Sequence, residues 1–313
     1  MGDLVAAPRV YPSQSSASVS PTAGDPGESL PDLVIVGAAS RDLTPDDARG
    51  WRLGGSATYC SLSAARLGLR VGCLLGVDSE ASTAAELSLL EDSGVDLRRV
   101  PLERGPVFAN VESDGHRRQR WLSECAPLPM AALPRTWQNA HGWLLVPVAG
   151  EVAAEWSGVP PHDAALGIGW QGMLRAFAAD GSVRGVRPEP SALLEAAGLV
   201  GASVDDLPPG TALPDVKWLA PRATIVLTAG QRGGLVIRDS GMTRYPAIQS
   251  ATVADPTGAG DVFLAALMTA WLLHGQLATP RALRFAAAAA SWVVEGVGLT
   301  AVPTLAQVME RFG

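Results

Sequence analysis

The chain is short of lysine. Among 24 basic residues it holds a single one, Lys217, in "LPDVKWLA". No G-x-x-x-x-G-K-[ST] occurs, which excludes a P-loop, and the strand lysine and H-R-D loop of protein kinases are missing too. A Schiff-base role for Lys217 is formally open, although a solvated lysine beside a strand is the plainer expectation. Cysteine is scarce: Cys60, Cys73 and Cys125 are odd in number and form no C-x-x-C pair. That pattern predicts free thiols in a reducing cytosol rather than a zinc site or a disulfide framework. Positive charge is in deficit as well. A net charge of −7 argues against nucleic acid or an anionic membrane as a general partner. It leaves room for a phosphate site, because backbone N–H groups bind anions without net positive charge. No apolar run is long enough to span a bilayer, and the N-terminus lacks a basic region followed by an apolar one, so a cytoplasmic protein is expected.

Hydrophobic residues make up 47% and charged residues 18%, enough for a sizeable core. The first stretch, about 1–30, is rich in Pro, Ser, Ala and Gly and reads as a flexible tail. From 31 to 313 a single domain is expected. "DLVIVGAAS" (32–40) reads as a buried strand, "TYCSLSAARLG" as a small-residue helix, and "RVGCLLGV" as the next strand. "STAAELSLLEDSG" follows as an amphipathic helix with Ala85, Leu87, Leu89 and Leu90 on its covered side. "GWLLVPVA", "AALGIGW" and "ATIVLTAG" are further strands, and the C-terminal part is helical. The alternation predicts a three-layer α/β fold, with a mostly parallel central sheet and helices on both faces. Two polar pieces, about 40–53 and 105–123, look different. They are either surface loops or extra antiparallel strands forming a small β lid that would exclude water from a site. The alanines 286–290 would let a helix approach a neighbour or a flat ligand closely, with packing the first reason.

One stretch is hard to explain by helix formation alone. "DPTGAGDVFLAAL" (255–267) sets Gly258, Ala259, Gly260 and Asp261 directly before an apolar helix, although glycine is a poor helix former and a cap needs only one residue. First-turn N–H groups have no partner within the helix, glycines let a phosphate approach them, and the helix dipole favours its charge. A carboxylate there could take a proton from a hydroxyl attacking phosphorus. An ordinary Gly-rich turn with an early-helix acid would look the same in isolation. His116 and His141, by contrast, have no spacing that suggests a metal or a triad.

The motif is not isolated. "DPTGAGDVF" resembles the C-terminal signature of the ribokinase-like (PfkB) carbohydrate kinases, "LGGSATYCSLSAARLG" resembles their N-terminal di-glycine signature, and "TIVLTAGQRGGLVI" resembles their nucleotide-binding T-x-G-x-x-G turn. The order is the family's, and the likeness runs from about residue 32 to the C-terminus. It implies an ATP-dependent kinase that uses Mg2+, in some relatives with a monovalent cation, and phosphorylates a sugar, cyclitol or nucleoside. By position, Asp261 would be the base and Gly258, Ala259 and Gly260 the anion hole. Asp42 would hold acceptor hydroxyls beside Gly54 and Gly55, a lid hinge. Thr228, Gly230 and Gly233 would line the ATP site. Ser203 to Asp206 ("SVDD") stands where many relatives have Asn-x-x-Glu, which would make Asp206 an indirect metal-site residue. Tyr59 stands where ribokinase has a sugar-binding asparagine, which disfavours ribose. The pattern, with "GWQGMLR" (169–175), looks most like the inositol-kinase-like branch. The resemblance leaves open a monomer or a lid-mediated homodimer. A non-catalytic ligand-binding protein on the same fold is the alternative that Tyr59 and "SVDD" keep alive. A Rossmann dehydrogenase would need G-x-G-x-x-G after the first strand, where "VGAAS" stands instead.

Overall fold

A computed structural model describes residues 30–113, 116–275 and 277–313. Residues 1–29 of the expected tail and the expected turn tip at Asp114 and Gly115 lie outside the described residues.

The chain begins with Leu33–Ala38 (β1), then crosses into Ser40–Leu43 (β2) and Trp51–Gly54 (β3) before helix Ser56–Arg66 (α1). Val71–Val77 (β4), helix Glu86–Asp92 (α2) and Asp96–Pro101 (β5) follow, then Val107–Ser113 (β6) and His116–Ser123 (β7). Gly142–Leu145 (β8) and Ala165–Gly169 (β9) lead into the short pair Arg175–Phe177 (β10) and Val183–Gly185 (β11). Next come helix Ala192–Ala196 (α3), Leu199–Ser203 (β12), helix Leu213–Leu219 (α4) and Thr224–Thr228 (β13). Gly234–Arg238 (β14) and Gly241–Tyr245 (β15) precede the C-terminal helices Ala259–His274 (α5), Pro280–Val293 (α6) and Leu305–Phe312 (α7).

Nine strands form the main sheet in the order β15-β14-β13-β12-β9-β8-β1-β4-β5. Every pairing from β13 to β5 is parallel, and the two at the β15 edge are antiparallel. Period-two alternation explains why both faces are covered: Leu33 and Ile35 join one apolar cluster, and Val34 and Val36 join the other. The first cluster carries α1, α5 and α6. The second is filled by Trp137, Trp143, Trp156 and Trp170, all fully buried. Buried indole N–H groups usually find partners: Trp143 donates to the Ala140 carbonyl at 3.1 Å and Trp156 to that of Leu128 at 3.3 Å, whereas the Trp137 N–H is buried without one. A buried carboxylate closes the same face. Glu151 accepts N–H bonds from Ala38 (3.1 Å), Val148 (2.9 Å) and Ala149 (2.8 Å), fixing the C-terminal end of β1 to the segment after β8. Burial pushes its pKa up, and those backbone donors oppose the rise.

A separate four-stranded sheet, β3-β2-β6-β7, stands over the C-terminal ends of the main strands. Its members fall in the two polar pieces singled out above. It is not wholly antiparallel as expected: β2 and β6 run parallel, because β2 leaves β1 and β6 arrives after β5 in the same direction.

Three local readings are corrected. Helix α2 starts only at Glu86, after a 3-10 turn at Ala81–Thr83, so Ala85 is exposed while Leu87 and Leu90 are buried. The strands β5, β12, β14 and β15 were not anticipated beyond the turn at β13–β14. Lys217 is not solvated: its Nζ donates to the carbonyls of Pro221 (2.7 Å) and Ala223 (2.9 Å) and pairs with Asp239 at 3.2 Å. It closes the C-terminus of α4.

Candidate active site

Helix α5 enters the site through Gly258, whose φ of 79° is left-handed, a conformation glycine adopts without penalty. The position is doubly constrained. A Cβ there would lie 2.3 Å from the ring of Tyr59, so the phenol packs flat against the bare backbone of the turn. Asp255 prepares the turn by accepting from the backbone and hydroxyl of Thr257, at 2.9 and 2.6 Å. Ala259 N–H is turned back onto the Pro256 carbonyl (3.3 Å), and the first helical bond runs from Val262 N–H to the Gly258 carbonyl. Gly260 and Asp261 thus present first-turn N–H groups without an acceptor inside the helix. Around Gly260 there is open space for an anion to approach.

The Asp261 carboxylate borders a cavity of about 390 Å³ at this helix end. Loss of hydration among the surrounding groups raises its pKa from 3.8 to about 6, opposed by a hydrogen bond from Ser56, and the charges of Asp206 and Asp42 push it further up. Arg175 acts in the opposite sense. A carboxylate titrating near 6 is ionised at neutral pH yet basic enough to share a proton with an alcohol. Below it, the Cys60 thiol donates to the Asp261 carbonyl at 3.4 Å and holds the helix start on α1.

Asp42 reaches the same cavity from β2, where the Ser40 hydroxyl donates to it at 2.9 Å. The di-glycine explains how it fits. A Cβ on Gly54 would lie 2.3 Å from Asp42 Oδ2, and one on Gly55, whose φ is 98°, would lie 2.4 Å from the Ala38 carbonyl oxygen. The glycines clear space for a carboxylate on one side and for the β1–β2 crossing on the other. Tyr59 is buried, and both burial and the nearby charges of Asp42, Asp255 and Asp261 hold its phenol protonated. It separates the main cavity from a second polar one of about 420 Å³ beside Asp46, Arg52 and Asp255.

Asp206 sits at the far wall, already engaged. Its carboxylate accepts from Ser203 N–H (2.9 Å) and from Gln171 Nε2 (3.1 Å), with the Arg175 guanidinium at 3.7 Å. Together with the Ser203 hydroxyl it forms a capping box on the turn after β12. Among the described residues no group of three or more Asp, Glu, His or Cys could cage a metal ion. A Mg2+ that arrived with its phosphates and kept its waters would meet Asp206 only at one remove.

Thr228, Gly230 and Gly233 line an adjoining apolar cleft of about 290 Å³ with Ile248, Ala290 and Val294. The cleft shares Gly260 and Phe263 with the main cavity. Gly233 (φ 80°) is required, since a Cβ would meet the Tyr245 carbonyl oxygen at 2.0 Å. The 286–290 alanines pack as expected, with Ala286 and Ala288 buried in the core, and Ala287 and Ala290 also border the cleft.

Sequence reading missed Ser56, Gln171, Arg175 and, also lining the main cavity, Phe108 and Gln119. Ser56 follows the di-glycine directly, and Gln171 and Arg175 lie inside the quoted "GWQGMLR". Their polar side chains after a buried strand were the available signal.

Parts of this sequence are similar to known proteins. Residues 195–305 match the family described as "pfkB family carbohydrate kinase". The inositol 3-kinase of Oryza sativa subsp. japonica is 29% identical over an alignment covering 88% of this chain and 79% of that one. The chain is similar to the pfkB family of carbohydrate kinases, most directly over its C-terminal third. It is an enzyme, a phosphotransferase, and the reading as a non-catalytic binding protein gives way to that. The likeness within the family falls in the inositol-kinase-like branch. Two solved structures share the fold: Arabidopsis thaliana ribokinase complexed with ribose and ATP (TM-score 0.64, 19% identity, 91% of this chain and 99% of that one), and a pyrophosphate-dependent kinase in the ribokinase family complexed with a pyrophosphate analog and myo-inositol (TM-score 0.68, 19% identity, 85% and 96%). No helix among the described residues is long and apolar enough to cross a membrane.

Proposed function

We propose that this carbohydrate kinase transfers the γ-phosphoryl group of MgATP to a ring hydroxyl of a small cyclitol, in a cytoplasmic setting. The observation that carries the reading is the Asp261 carboxylate, with its pKa raised to about 6, at the open N-terminus of α5 and facing the same cavity as Asp42. When bound, MgATP supplies the phosphoryl group and the charge of its metal. The protein aligns and stabilises. Asp42 accepts hydrogen bonds from acceptor hydroxyls, and Asp261 takes the proton of the hydroxyl that attacks. The N–H groups of Gly260 and Asp261 face the charge that develops. Closure of the small sheet over the cavity keeps water from competing.

The apolar cleft beside Ala290 and Val294 supports a nucleotide over pyrophosphate as donor, since a flat base needs such walls and pyrophosphate does not. The cyclitol preference rests on the likeness to inositol 3-kinase, together with Tyr59, whose bulk removes the room an asparagine would leave beside a pentose. A monovalent-cation requirement belongs to the same proposal and is read by adding potassium to the assay. The test is product formation from MgATP or pyrophosphate across inositols, hexoses, pentoses and nucleosides. Turnover of an inositol with ATP is expected. Turnover confined to nucleosides, or to pyrophosphate, would overturn the acceptor or the donor assignment.

A further inference from the structure

The hairpin formed by β10 and β11 joins two parts of the molecule that the mechanism treats separately. At one end it is stitched to the small sheet. The backbone N–H of Trp121 on β7 donates to the Gly181 carbonyl at 2.9 Å, Arg120 Nη2 donates to that of Asp180 at 2.9 Å, and Arg120 forms a backbone bridge with Ser182. The Phe177 ring lies 4.9 Å from that of Trp121 and 6.2 Å from that of Phe108. At the other end Arg175 reaches Asp206 and feels the charges of Asp261 and Asp42 as well. Residues 175 and 177 share a face of the strand by its two-residue period, with Ala176 exposed on the opposite face. Phe108 and Gln119 of the small sheet line the main cavity, so whatever fills it presses on the same sheet that holds Phe177.

We propose that Phe177 is a positioning residue: it transmits the seating of the small sheet on the acceptor to Arg175, whose guanidinium is thereby set among Asp42, Asp206 and Asp261. This rests on the kinase reading of the site. Three carboxylates around one phosphoryl-transfer point repel an incoming phosphate, and one guanidinium, delivered when the acceptor is in place, offsets them. The hairpin thus favours transfer to the acceptor over transfer to water, which does not seat the sheet.

The test uses the full chain with Phe177→Leu, Arg175→Lys and both changes together. Arg175→Lys is expected to lower the acceptor-dependent kcat by about 100-fold. Phe177→Leu is expected to lower it by about 10-fold, with acceptor-free ATP hydrolysis and nucleotide affinity unchanged. Because one acts through the other, the double variant should match Arg175→Lys alone; losses that multiply would overturn the proposal. A ligand-free arm separates its failure from that of the kinase reading. Amide exchange in Phe177→Leu should quicken together in 119–123 and in 171–175. Quickening confined to 177–185 would overturn the coupling, even if no acceptor were ever turned over. Trp121→Phe, which cuts the same seam from the other side, should reproduce the pattern if Phe177→Leu folds poorly.

Discussion

The two ends of the cleft are built from opposite materials. The proposed donor end is backbone and small side chains: Gly230, Gly233, Gly258, Gly260 and the alanines of α6, with an apolar cleft between them. The proposed acceptor end is charged and bulky: Asp42, Arg175, Asp206 and Tyr59, gathered from β2, β10, the turn after β12 and α1. The difference follows from what each end has to recognise. Phosphate is bound by backbone N–H groups wherever the chain can come close, so glycine spacing suffices. A polyol is bound by side chains whose directions depend on several elements at once.

The sharpest way to break this comparison is at the residue shared by both ends. Asp261→Asn should lower kcat by about 1,000-fold or more while nucleotide affinity stays within about threefold, measured by steady-state kinetics and calorimetric titration. The same substitution should stabilise the fold. A carboxyl raised from 3.8 to about 6 contributes stability that is complete below pH 3.8 and lost as pH rises through about 6, so at neutral pH the ionised group is a burden. Asparagine removes that burden, and unfolding in urea at neutral pH should show a gain of about 1–2 kcal/mol. Next in size is Gly258→Ala. Its new methyl meets the Tyr59 ring at 2.3 Å in a left-handed conformation, which should destabilise the protein by about 2–4 kcal/mol. Adding Tyr59→Ala should restore the part due to the clash and leave the backbone strain. Smaller and opposite effects should separate the two ends. Ala290→Leu, filling the apolar cleft, should raise the KM for ATP by about 10-fold and leave that for the acceptor unchanged. Asp42→Asn should do the reverse, by a similar factor, through a lost charge-assisted hydrogen bond.

The same asymmetry decided what could be read from sequence. The parallel sheet, α1, α5 and the glycine turns were legible, because each announces itself within a dozen consecutive residues. Asp42 was found by its place in a motif, but the reason it fits, the missing Cβ of Gly54, appears only when β2 pairs with β3. Arg175 and Gln171 were not anticipated as site residues, because their one local signal, a polar side chain soon after a buried strand, is shared by many solvated residues. They join Asp206 only after β9 pairs with β12, which brings the segments that follow the two strands together. Lys217 was misread for a related reason: the carbonyls that surround it belong to the end of α4 and the residues beyond, and pattern alone does not show that end folding back.

The central claim is that Asp261, tuned by its surroundings, receives the acceptor's proton at the mouth of α5. The pH profile of kcat/KM for acceptor phosphorylation tests it most directly. The rate should climb about tenfold per pH unit below about 6 and level off above it, and Asp261→Asn should abolish that limb with the rate it governs. A profile without an inflection near 6, or an Asp261→Asn protein that keeps the wild-type profile and more than about a tenth of its rate, would contradict it.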